Sequence, residues 1–455
     1  MEHFELQLKD LLAHKRFDAQ FFSPKYEFLE KIFRSQKTDK LSDISSVSDG
    51  NHLKIAEEFD QTKGIRYLRG QDLSKKMTIT DLSIVKIAES SYDNLQRSHV
   101  FNGDVLLGIV GTIGNVGLVY KCDEKLTANC KIAILRPKNG LITSEYLYGY
   151  LSSRIAQSQI KKSVRGSVQT GLVLPDISDF VILRADEEFE EMIARKVSDA
   201  HELLKSCKSI YQSASNLLEE VIGGFKSLEN EELCFEADLD NLLKNNRFDS
   251  EYYKPKFNNF FNSLKTKGII FKRLKDLVNF KKGIEIGSSN YKEVGIPFIR
   301  VSNISNIEYD FEKFMSNELY EDNINLQPKK DEVFFSKDGS PGIAYHFRDN
   351  PPECICSNGI LILTKKDPTL KMDVLSLLLN SYITKAQLER DAGGSIISHW
   401  RPDQIGNLLI PELDDELLTT LSEKLEQSFL KKEKGESLLR EVSRQIDAKF
   451  GFDQI

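Results

Sequence analysis

The sequence predicts an α+β protein made of two tandem, similar modules, each followed by a long helix. Short motifs in residues 16–168 return in the same order between residues 247 and 396, and residues 186–222 contain neither glycine nor proline. With 455 residues, of which 40% are hydrophobic and 29% charged, the chain has room for two hydrophobic cores and their connectors.

The repeated motifs keep a nearly constant spacing. The Arg-Phe-Asp segment at residue 16 returns at residue 247 (247 − 16 = 231), and the Gly-Ile segment at residue 64 returns at residue 295 (295 − 64 = 231). The Gly-x-x-Gly segment at residue 111 returns at residue 339, and the Gly-Ser segment at residue 166 returns at residue 394, both at an offset of 228. Because solenoid repeats are only about 20 to 50 residues long, this pattern indicates a duplicated module.

Two long helices are predicted. From Asp186 to Ile222, apolar or small residues recur at alternating steps of four and three, which is typical of a helix that packs lengthwise on another helix. Gly223 and Gly224 are expected to end it. A second helix is predicted from about Glu412 to Phe450, although Lys432 interrupts its apolar seam. We expect the two helices to pair as an antiparallel coiled coil through Ile193, Val197, Ala200, Leu204, Tyr211, Leu218, Leu418, Leu425, Leu439 and Ile446.

These patterns divide the chain into five segments. They are a first module at residues 1–185, a long spacer helix at 186–223, an acidic linker at 224–246, a second module at 247–411 and a second long helix at 412–455. Glycine-bounded β-rich runs predict a curled sheet in each module. Between residues 41 and 184, strands are expected at residues 105–110, 117–120, 131–135 and 180–183, and a single helix near residues 144–162.

Charge is unevenly distributed along the chain. The formal net charge of −7 disfavours a polyanionic partner, because nucleic-acid-binding surfaces are usually basic. Between residues 146 and 175, however, every charged side chain is basic, and residues 265–282 hold seven basic residues against one acid. The two clusters indicate either phosphate-facing surfaces or ordinary solvated faces.

No constellation typical of catalysis is found in the sequence. The glycine run that begins at residue 111 precedes a predicted strand, whereas a phosphate-binding loop opens a helix. The Asn-Pro-Pro-Glu segment at residue 350 lacks the aromatic residue with which amino-group DNA methyltransferases stack a flipped base. His346, His399 and Asp403 form no recognisable nucleophile and base set, and the six cysteines lack zinc-site spacing. We therefore expect a non-catalytic chain with no metal and free thiols.

The amino terminus lacks the basic start and apolar run of a signal peptide, and no apolar stretch approaches the roughly 20 residues that a membrane span needs. A cytoplasmic protein without a membrane partner is expected.

The strongest binding candidates are polar loop residues beside basic ones. Amide and hydroxyl side chains can contact base edges, while basic side chains suit phosphates, so different side chains on two similar frames are expected to read different sequences. A surface loop without a ligand is the alternative interpretation. The candidate DNA-binding residues are Arg66, Arg69, Gln71, Lys161, Lys162, Arg165, Ser167, Gln169, Thr170, Arg300, Ser302, Asn303, Ser395, Ser398 and His399.

The repeated order of these motifs resembles the specificity subunit of type I restriction-modification systems. The resemblance covers essentially the whole chain. It is carried by the two Arg-Phe-Asp segments, the strand and turn at residues 103–114 with its partner at 331–342, and the Gly-Ser loop before each long helix. The resemblance implies two target recognition domains, each reading half of a bipartite DNA site, with the helices fixing the gap.

It also implies a role in host defence and specific partners, namely double-stranded DNA, methyltransferase (M) subunits and restriction (R) subunits. No cofactor is implied for this chain, and S-adenosylmethionine, ATP and Mg²⁺ are expected in the partner subunits. Two other interpretations stay open. One is a non-catalytic protein-interaction scaffold with two heads on a coiled coil, and the other is a DNA methyltransferase or nuclease.

Overall fold

The computed structural model describes residues 11, 16–55, 59–60, 63–74, 76, 78–79, 84–166, 170–222, 234–245, 247–392 and 400–452. The chain forms two compact units, residues 1–205 with 432–455, and residues 206–431. Each unit holds one α+β module together with part of both long helices. The division drawn from the sequence cuts the chain at the helix starts instead, and its five segments stay a prediction.

The first module combines two four-stranded sheets with short helices. Its strands are β1 (Thr38–Lys40), β2 (Ser45–Asp49), β3 (Ile65–Leu68), β4 (Lys86–Ile87), β5 (His99–Val100), β6 (Val105–Gly108), β7 (Val116–Leu118), β8 (Leu126–Ala128), β9 (Ile132–Pro137) and β10 (Val181–Leu183). Its helices are α1 (Glu27–Ser35), α2 (Leu41–Ile44), α3 (Glu89–Asn94), α4 (Ser144–Ser152), α5 (Arg154–Ser163) and α6 (Leu174–Ser178). The strand orders are β2-β9-β6-β7 and β4-β3-β8-β5, and β1 pairs with β10.

The central strand β6 is apolar at every position because both of its faces are covered. Side chains alternate between the two faces of a strand, and Val105 and Leu107 therefore pack with the helices, whereas Leu106 packs with Leu68 and Ile134 in a separate cluster. This alternation explains why a continuous apolar run, rather than an alternating one, marks the strand in the sequence.

The single helix predicted near residues 144–162 is wrong, because the chain forms α4 and α5 instead. Ser153 lies between them with an extended backbone (φ −72°, ψ 156°), and its side-chain oxygen accepts a hydrogen bond from Ala156 N at 3.3 Å. A serine in this position satisfies an otherwise unpaired amide at a helix start, so Ser153 begins a new helix.

The second module repeats the plan. Between the modules lie α7 (Glu187–Ile222) and, within the linker, α8 (Leu239–Asn245). The strands of the second module are β11 (Phe271–Arg273), β12 (Val278–Lys282), β13 (Ile296–Ile299), β14 (Lys313–Met315), β15 (Val333–Ser336), β16 (Ala344–His346), β17 (Ile355–Cys356), β18 (Ile360–Lys365) and β19 (Leu409–Pro411). Its helices are α9 (Pro255–Thr266), α10 (Leu274–Leu277), α11 (Asn317–Glu321), α12 (Met372–Asn380), α13 (Tyr382–Ala392) and α14 (Pro402–Gly406). The strand orders are β12-β18-β15-β16 and β14-β13-β17, with β11 paired to β19.

The second long helix is α15 (Asp415–Lys449), and it runs antiparallel to α7 in each unit. In the first unit Lys196 Nζ lies 2.5 Å from Glu441 Oε1. In the second unit Lys424 Nζ lies 3.2 Å from Ser213 Oγ. Residue numbers therefore rise along α7 as they fall along α15. The predicted fold class, two similar α+β modules each followed by a long helix with the helices paired antiparallel, is confirmed.

The predicted seam residues lie against the modules as well as against the other long helix. Ile193, Val197 and Ala200 share a core cluster with the first module, and Tyr211 and Leu218 share one with the second. Val221, which also keeps the seam spacing, is 43% exposed. The buried predicted positions are Ile193, Val197, Ala200, Tyr211, Leu218, Leu425, Leu439 and Ile446, and the half-buried ones are Leu204 and Leu418.

The interruption of the α15 seam at Lys432 does not break the helix. Lys432 lies within α15, and a glycine follows one turn later at Gly435. A β-carbon on Gly435 would lie 3.0 Å from both the Ala200 carbonyl oxygen and Leu204 Cγ. Gly435 therefore marks the point where the two helices come too close for a side chain.

Each long helix ends by capping a helix of the module that it does not follow. Asp447, on α15, accepts hydrogen bonds from Arg154 N (3.2 Å) and Ile155 N (3.1 Å) at the start of α5. Glu219, on α7, accepts one from Tyr382 N (2.7 Å) at the start of α13. Both pairs keep the module offset, since 447 − 219 = 228 and 382 − 154 = 228. Carboxylates are favourable at helix N-termini, where amide groups lack partners.

Within the described residues, no helix combines the length and the apolar content that crossing a membrane requires.

Candidate nucleic-acid interface

Three loops of the first module meet at one edge of its sheets. The turn after β3 is tied to the turn after β6, because Thr112 Oγ1 donates to the Gly70 carbonyl oxygen at 2.7 Å. The polar loop after α5 is tied to the same strand end, because Leu172 N donates to the Ile109 carbonyl oxygen at 2.9 Å. We call the described residues of these three segments, 69–73, 110–115, 165–166 and 170–171, the loop cluster of the first module.

The second module builds the equivalent cluster from residues 300–304 and 338–343 together with Trp400. Trp400 N donates to the Lys337 carbonyl oxygen at 2.8 Å, which is the contact of Leu172 with Ile109 shifted by 228 residues. A β-carbon on Gly359 would lie 3.0 Å from Val301 Cγ2 and 3.6 Å from Asp338 Cβ, so the turns that contain Val301 and Asp338 both lie against the turn before β18. Trp400 itself is 1% exposed and packs in the core.

The turn after β3 is stabilised identically in the two modules. Arg69 N donates to Asp72 Oδ2 at 2.8 Å, and Arg300 N donates to Asn303 Oδ1 at 3.0 Å. Asp72 and Asn303 are each 3% exposed, and burial raises the pKa of Asp72 despite the neighbouring Arg69. Asn303, a predicted base contact, therefore uses its side-chain oxygen within the turn.

The exposed positions of these turns are the predicted residues Gln71 and Ser302. The arginines beside them are half-buried. The guanidinium of Arg69 lies 3.3 Å from Asp72 Oδ1, and that of Arg300 lies 2.6 Å from Glu312 Oε2. Arg66 is half-buried on β3.

The glycine turn after β6 has the backbone that the sequence suggests. Gly111 and Gly114 adopt positive φ angles of 79° and 87°, which favour glycine, and the strand β7 follows them. A β-carbon on Gly114 would lie 2.7 Å from Gln157 Oε1. The turn is part of the sheet and opens no helix.

The basic residues before the polar loop differ in how free they are. Lys161 and Thr170 are exposed. Lys162 lies 2.9 Å from Glu30 Oε1 and over the ring of Phe21, and Arg165 makes two hydrogen bonds to Asp176 at 2.6 and 2.7 Å. Hydrogen bonding to Asp176 holds the pKa of Arg165 above its usual range.

Five predicted contacts, Ser167, Gln169, Ser395, Ser398 and His399, lie outside the described residues. They stay predictions, as do the other candidate DNA-binding residues.

The second basic cluster is exposed at all seven positions between residues 265 and 282. Lys281 and Lys282 end the edge strand β12, whereas Lys272 pairs with Glu412 at 2.5 Å.

The repeated Arg-Phe-Asp segments have a structural role that does not follow from the local sequence pattern. Arg16 is 3% exposed, and its guanidinium donates to the carbonyl oxygens of Ser163 (2.9 Å) and Val164 (3.1 Å), where α5 ends and the polar loop begins. Arg247 donates to the Asp391 carbonyl oxygen at 3.0 Å, the equivalent place on α13. These arginines fix the last helical turn before each loop. The signal was available, because the segment recurs at nearly the same offset as the loops.

Replacing Arg16 with alanine is expected to lower the free energy of unfolding by about 3 kcal/mol, since it removes a buried charge that also pairs with Asp176 at 3.0 Å. Arg97 is the matched control, because its 72%-exposed side chain pairs with Asp49 on the surface and its loss should cost under about 1 kcal/mol. Urea unfolding of both variants measures the two losses of unfolding free energy. Equal losses would contradict the role of Arg16 in fixing the end of α5.

The residues considered for catalysis do not form a site within the described ranges. His346 is 5% exposed, its Nε2 lies 3.5 Å from Asp331 Oδ1, and burial lowers its pKa. Cys354 and Cys356 are buried, and burial raises the pKa of the Cys354 thiol to about 12, so it is protonated at neutral pH. No group of three or more histidine, cysteine or acidic side chains there is arranged to hold a metal ion.

Part of the chain is similar in sequence to known proteins. Residues 35–183 match the model of the type I restriction modification DNA specificity domain. Over 166 residues, which are 36% of the chain, the sequence is 29% identical to the type I restriction enzyme EcoBI specificity subunit of Escherichia coli. The match spans about a third of that relative, 33% of its length. The resemblance noted from the sequence is thereby confirmed on the first module.

Two solved structures are similar over most of the chain. The S subunit of a type I restriction-modification system from M. genitalium has 13% sequence identity and a TM-score of 0.37, covering 91% of this chain and 94% of its own. The HsdS subunit from Thermoanaerobacter tengcongensis has 14% identity and a TM-score of 0.29, covering 91% and 96%.

Proposed function

We propose that the protein is a sequence-specific DNA-binding subunit, on the basis of the match of residues 35–183 to the type I restriction modification DNA specificity domain. Its target is a bipartite site, and each loop cluster reads one half. Bound there, it directs methyltransferase and restriction subunits to the DNA.

The observation that best supports this proposal is the same loop cluster built twice with different exposed side chains. Gln71 occupies the exposed position of the first turn, and Ser302 occupies it in the second. Lys161 before the first polar loop corresponds to Glu389 in the second module (389 − 161 = 228), and both are exposed. Shared frames with different donors, acceptors and charges suit the reading of two different half-sites.

Electrostatics allow this function in spite of the acidic composition. Basic side chains are concentrated near the first loop cluster and between residues 265 and 282. These local groups can contact DNA phosphates although the net charge of the chain is −7. The buried carboxylates at the turns, such as Asp72, are held inside the fold.

The chain is proposed to be non-catalytic and to bind no cofactor itself. S-adenosylmethionine would be bound by the methyltransferase subunits, and ATP and Mg²⁺ by the restriction subunits. A protein-interaction scaffold and an enzyme are the competing functions. Methylation or cleavage of DNA by the purified chain alone would favour the enzyme.

Salt dependence separates DNA binding from the scaffold. In complex with its methyltransferase subunits, the chain is expected to bind target duplex with an affinity that falls steeply as salt rises, because phosphate contacts release counterions. The Lys161→Ala variant should lower the slope of log affinity against log salt by about 1, the loss of one phosphate contact.

Arg195→Ala is the matched control, because Arg195 is an exposed cation on α7 that pairs with Glu191. It should leave the slope unchanged. Fluorescence anisotropy on a labelled duplex gives both values, and salt-independent binding by the complex would overturn the proposal.

A further inference from the structure

A pocket of about 220 Å³ opens into the second module where β19 meets α12 and the start of α15. Its wall is aliphatic, and Val374, Leu378 and Ile410 in it are at most 4% exposed. Charged residues, among them Lys272 and Glu412, stand at its rim. The pocket is open to solvent on one side, and its buried aliphatic wall borders the close-packed core.

The first module fills the same place with two tyrosines. Helices α4 and α12 correspond at an offset of 372 − 144 = 228, so Tyr146 aligns with Val374 and Tyr150 with Leu378. Tyr146 and Tyr150 are both fully buried. Two phenol rings in one module are thus replaced by a β-branched and a γ-branched aliphatic side chain in the other, and the space that the rings would occupy is open.

The tyrosine hydroxyls of the first module have defined partners. Tyr146 donates to the Leu183 carbonyl oxygen at 2.9 Å, and Tyr150 donates to the Val181 carbonyl oxygen at 2.9 Å. Both acceptors lie on β10. Neither Val374 nor Leu378 carries a donor, so α12 forms no counterpart to these two bonds.

The acceptors themselves are kept in the second module. Two hydrogen bonds fix the pairing of β11 with β19: Glu412 N donates to the Ile270 carbonyl oxygen, and Leu274 N donates to the Leu408 carbonyl oxygen. Because hydrogen-bonded and non-hydrogen-bonded positions alternate in an antiparallel pair, the carbonyl groups of Leu409 and Pro411 point away from β11. Gln387 donates to the Leu409 oxygen at 3.0 Å. Pro411 is the counterpart of Leu183, and α12 offers its carbonyl oxygen no phenol donor.

The rim also differs between the modules. In the first, Arg184 pairs with Asp39 at 2.5 Å. In the second, Glu412 and Lys272 occupy the corresponding positions with the charges exchanged, and they pair at 2.5 Å. An ion pair therefore joins the ends of the two paired strands in both modules. The modules differ in the interior, where the second module lacks the two tyrosine rings.

We propose that this pocket binds a single-ring phenol, with the ring against Val374 and Leu378 and the hydroxyl donating to the Pro411 carbonyl oxygen. An aliphatic cavity of ~150 Å³ is enough to bind benzene, so 220 Å³ accommodates a substituted ring. The hydroxyl selects phenols over hydrocarbons, because it can donate to the Pro411 carbonyl oxygen as the Tyr146 hydroxyl donates to that of Leu183. The site is separate from the loop cluster and does not depend on DNA binding.

The probe is p-cresol, the side chain of tyrosine without its backbone, titrated into the full chain by calorimetry. One molecule is expected to bind with a dissociation constant on the order of 10⁻⁴ M, well within the limit for a ligand of eight non-hydrogen atoms. Toluene, which lacks the hydroxyl, should bind at least ~5-fold more weakly. No p-cresol binding at millimolar concentration, or equal binding of toluene, would overturn the proposal.

The sister module supplies matched variants. Val374→Tyr/Leu378→Tyr restores the two rings and should weaken p-cresol binding at least ~10-fold, with Val374→Phe as a smaller filling if the double variant fails to fold. Tyr146→Val/Tyr150→Leu should open the equivalent place in the first module and raise the stoichiometry from one to two. Unchanged affinity in the filled variants would place the ligand elsewhere.

Discussion

Seven residues inserted at matched points in both long helices are expected to widen the gap of the proposed bipartite DNA target by about three base pairs. Each helix would grow by ~10 Å, and one base pair occupies ~3.4 Å. The matched points are between Ser206 and Cys207 in α7 and between Ser428 and Phe429 in α15, because Ser428 Oγ donates to the Cys207 carbonyl oxygen at 2.8 Å. A heptad preserves the seam on both sides of each insertion.

Both helices must change, since their antiparallel pairing is anchored in each unit. Lys196 faces Glu441 in the first unit, and Ser213 faces Lys424 in the second. Seven residues added to α7 alone cannot keep both pairings in register, and that variant should assemble poorly. Two residues added to each helix would rotate the later seam positions by ~200° and should also fail.

Sequencing of methylated DNA from a host that carries the partner subunits shows the recognised motif, and the yield of the complex shows assembly. The spacer interpretation predicts intact half-sites with a wider gap. An altered half-site with an unchanged gap would refute it.

Replacing Asp447 with alanine is expected to cost about 3 kcal/mol of the free energy of unfolding, because it leaves buried amides at the start of α5 without an acceptor. Asp447 is fully buried. Its carboxylate lies on the helix that follows the second module, yet it caps Arg154 N and Ile155 N in the first. The predicted loss is therefore local to the first unit.

Hydrogen exchange localises this effect. Asp447→Ala should speed exchange of the first amides of α5 and leave α13 protected, whereas Glu219→Ala should expose Tyr382 N at the start of α13 and leave α5 protected. Glu423→Ala, an exposed position on α15, is the control and should change neither. Faster exchange in α13 after the Asp447 change would contradict the crossed capping.

The fold could be predicted from the sequence to the extent that each signal is local or repeated. Periodic apolar spacing set α7 within one residue of its observed start, and an apolar run located β6. The break at Ser153 was missed, because apolar residues continue through it and only a serine side chain marks the new helix start. The spacing of apolar residues does not show where a side chain caps the start of a new helix.

The sequence predicts which loops form the candidate site, but it does not predict which of their side chains are free to contact DNA. Gln71 and Lys161 are exposed as a reading surface needs, but Asn303 and Arg165 use their polar atoms within the fold, on Arg300 N and on Asp176. Sequence shows which side chains could bind DNA and does not show which have a nearer partner. The hydrogen bonds of Arg16 could not be predicted either, because their acceptors are backbone atoms 147 and 148 residues away along the chain.

The crossed capping also has a consequence for how the chain is made on the ribosome. Arg154 and Asp447 are 293 residues apart, and at ~5 to 20 residues per second their synthesis is separated by roughly 15 to 60 s. During that interval the first module lacks the side chains of Val442, Ile446 and Phe450 that share its core. The nascent first module therefore keeps an apolar groove uncovered until α15 has been synthesised.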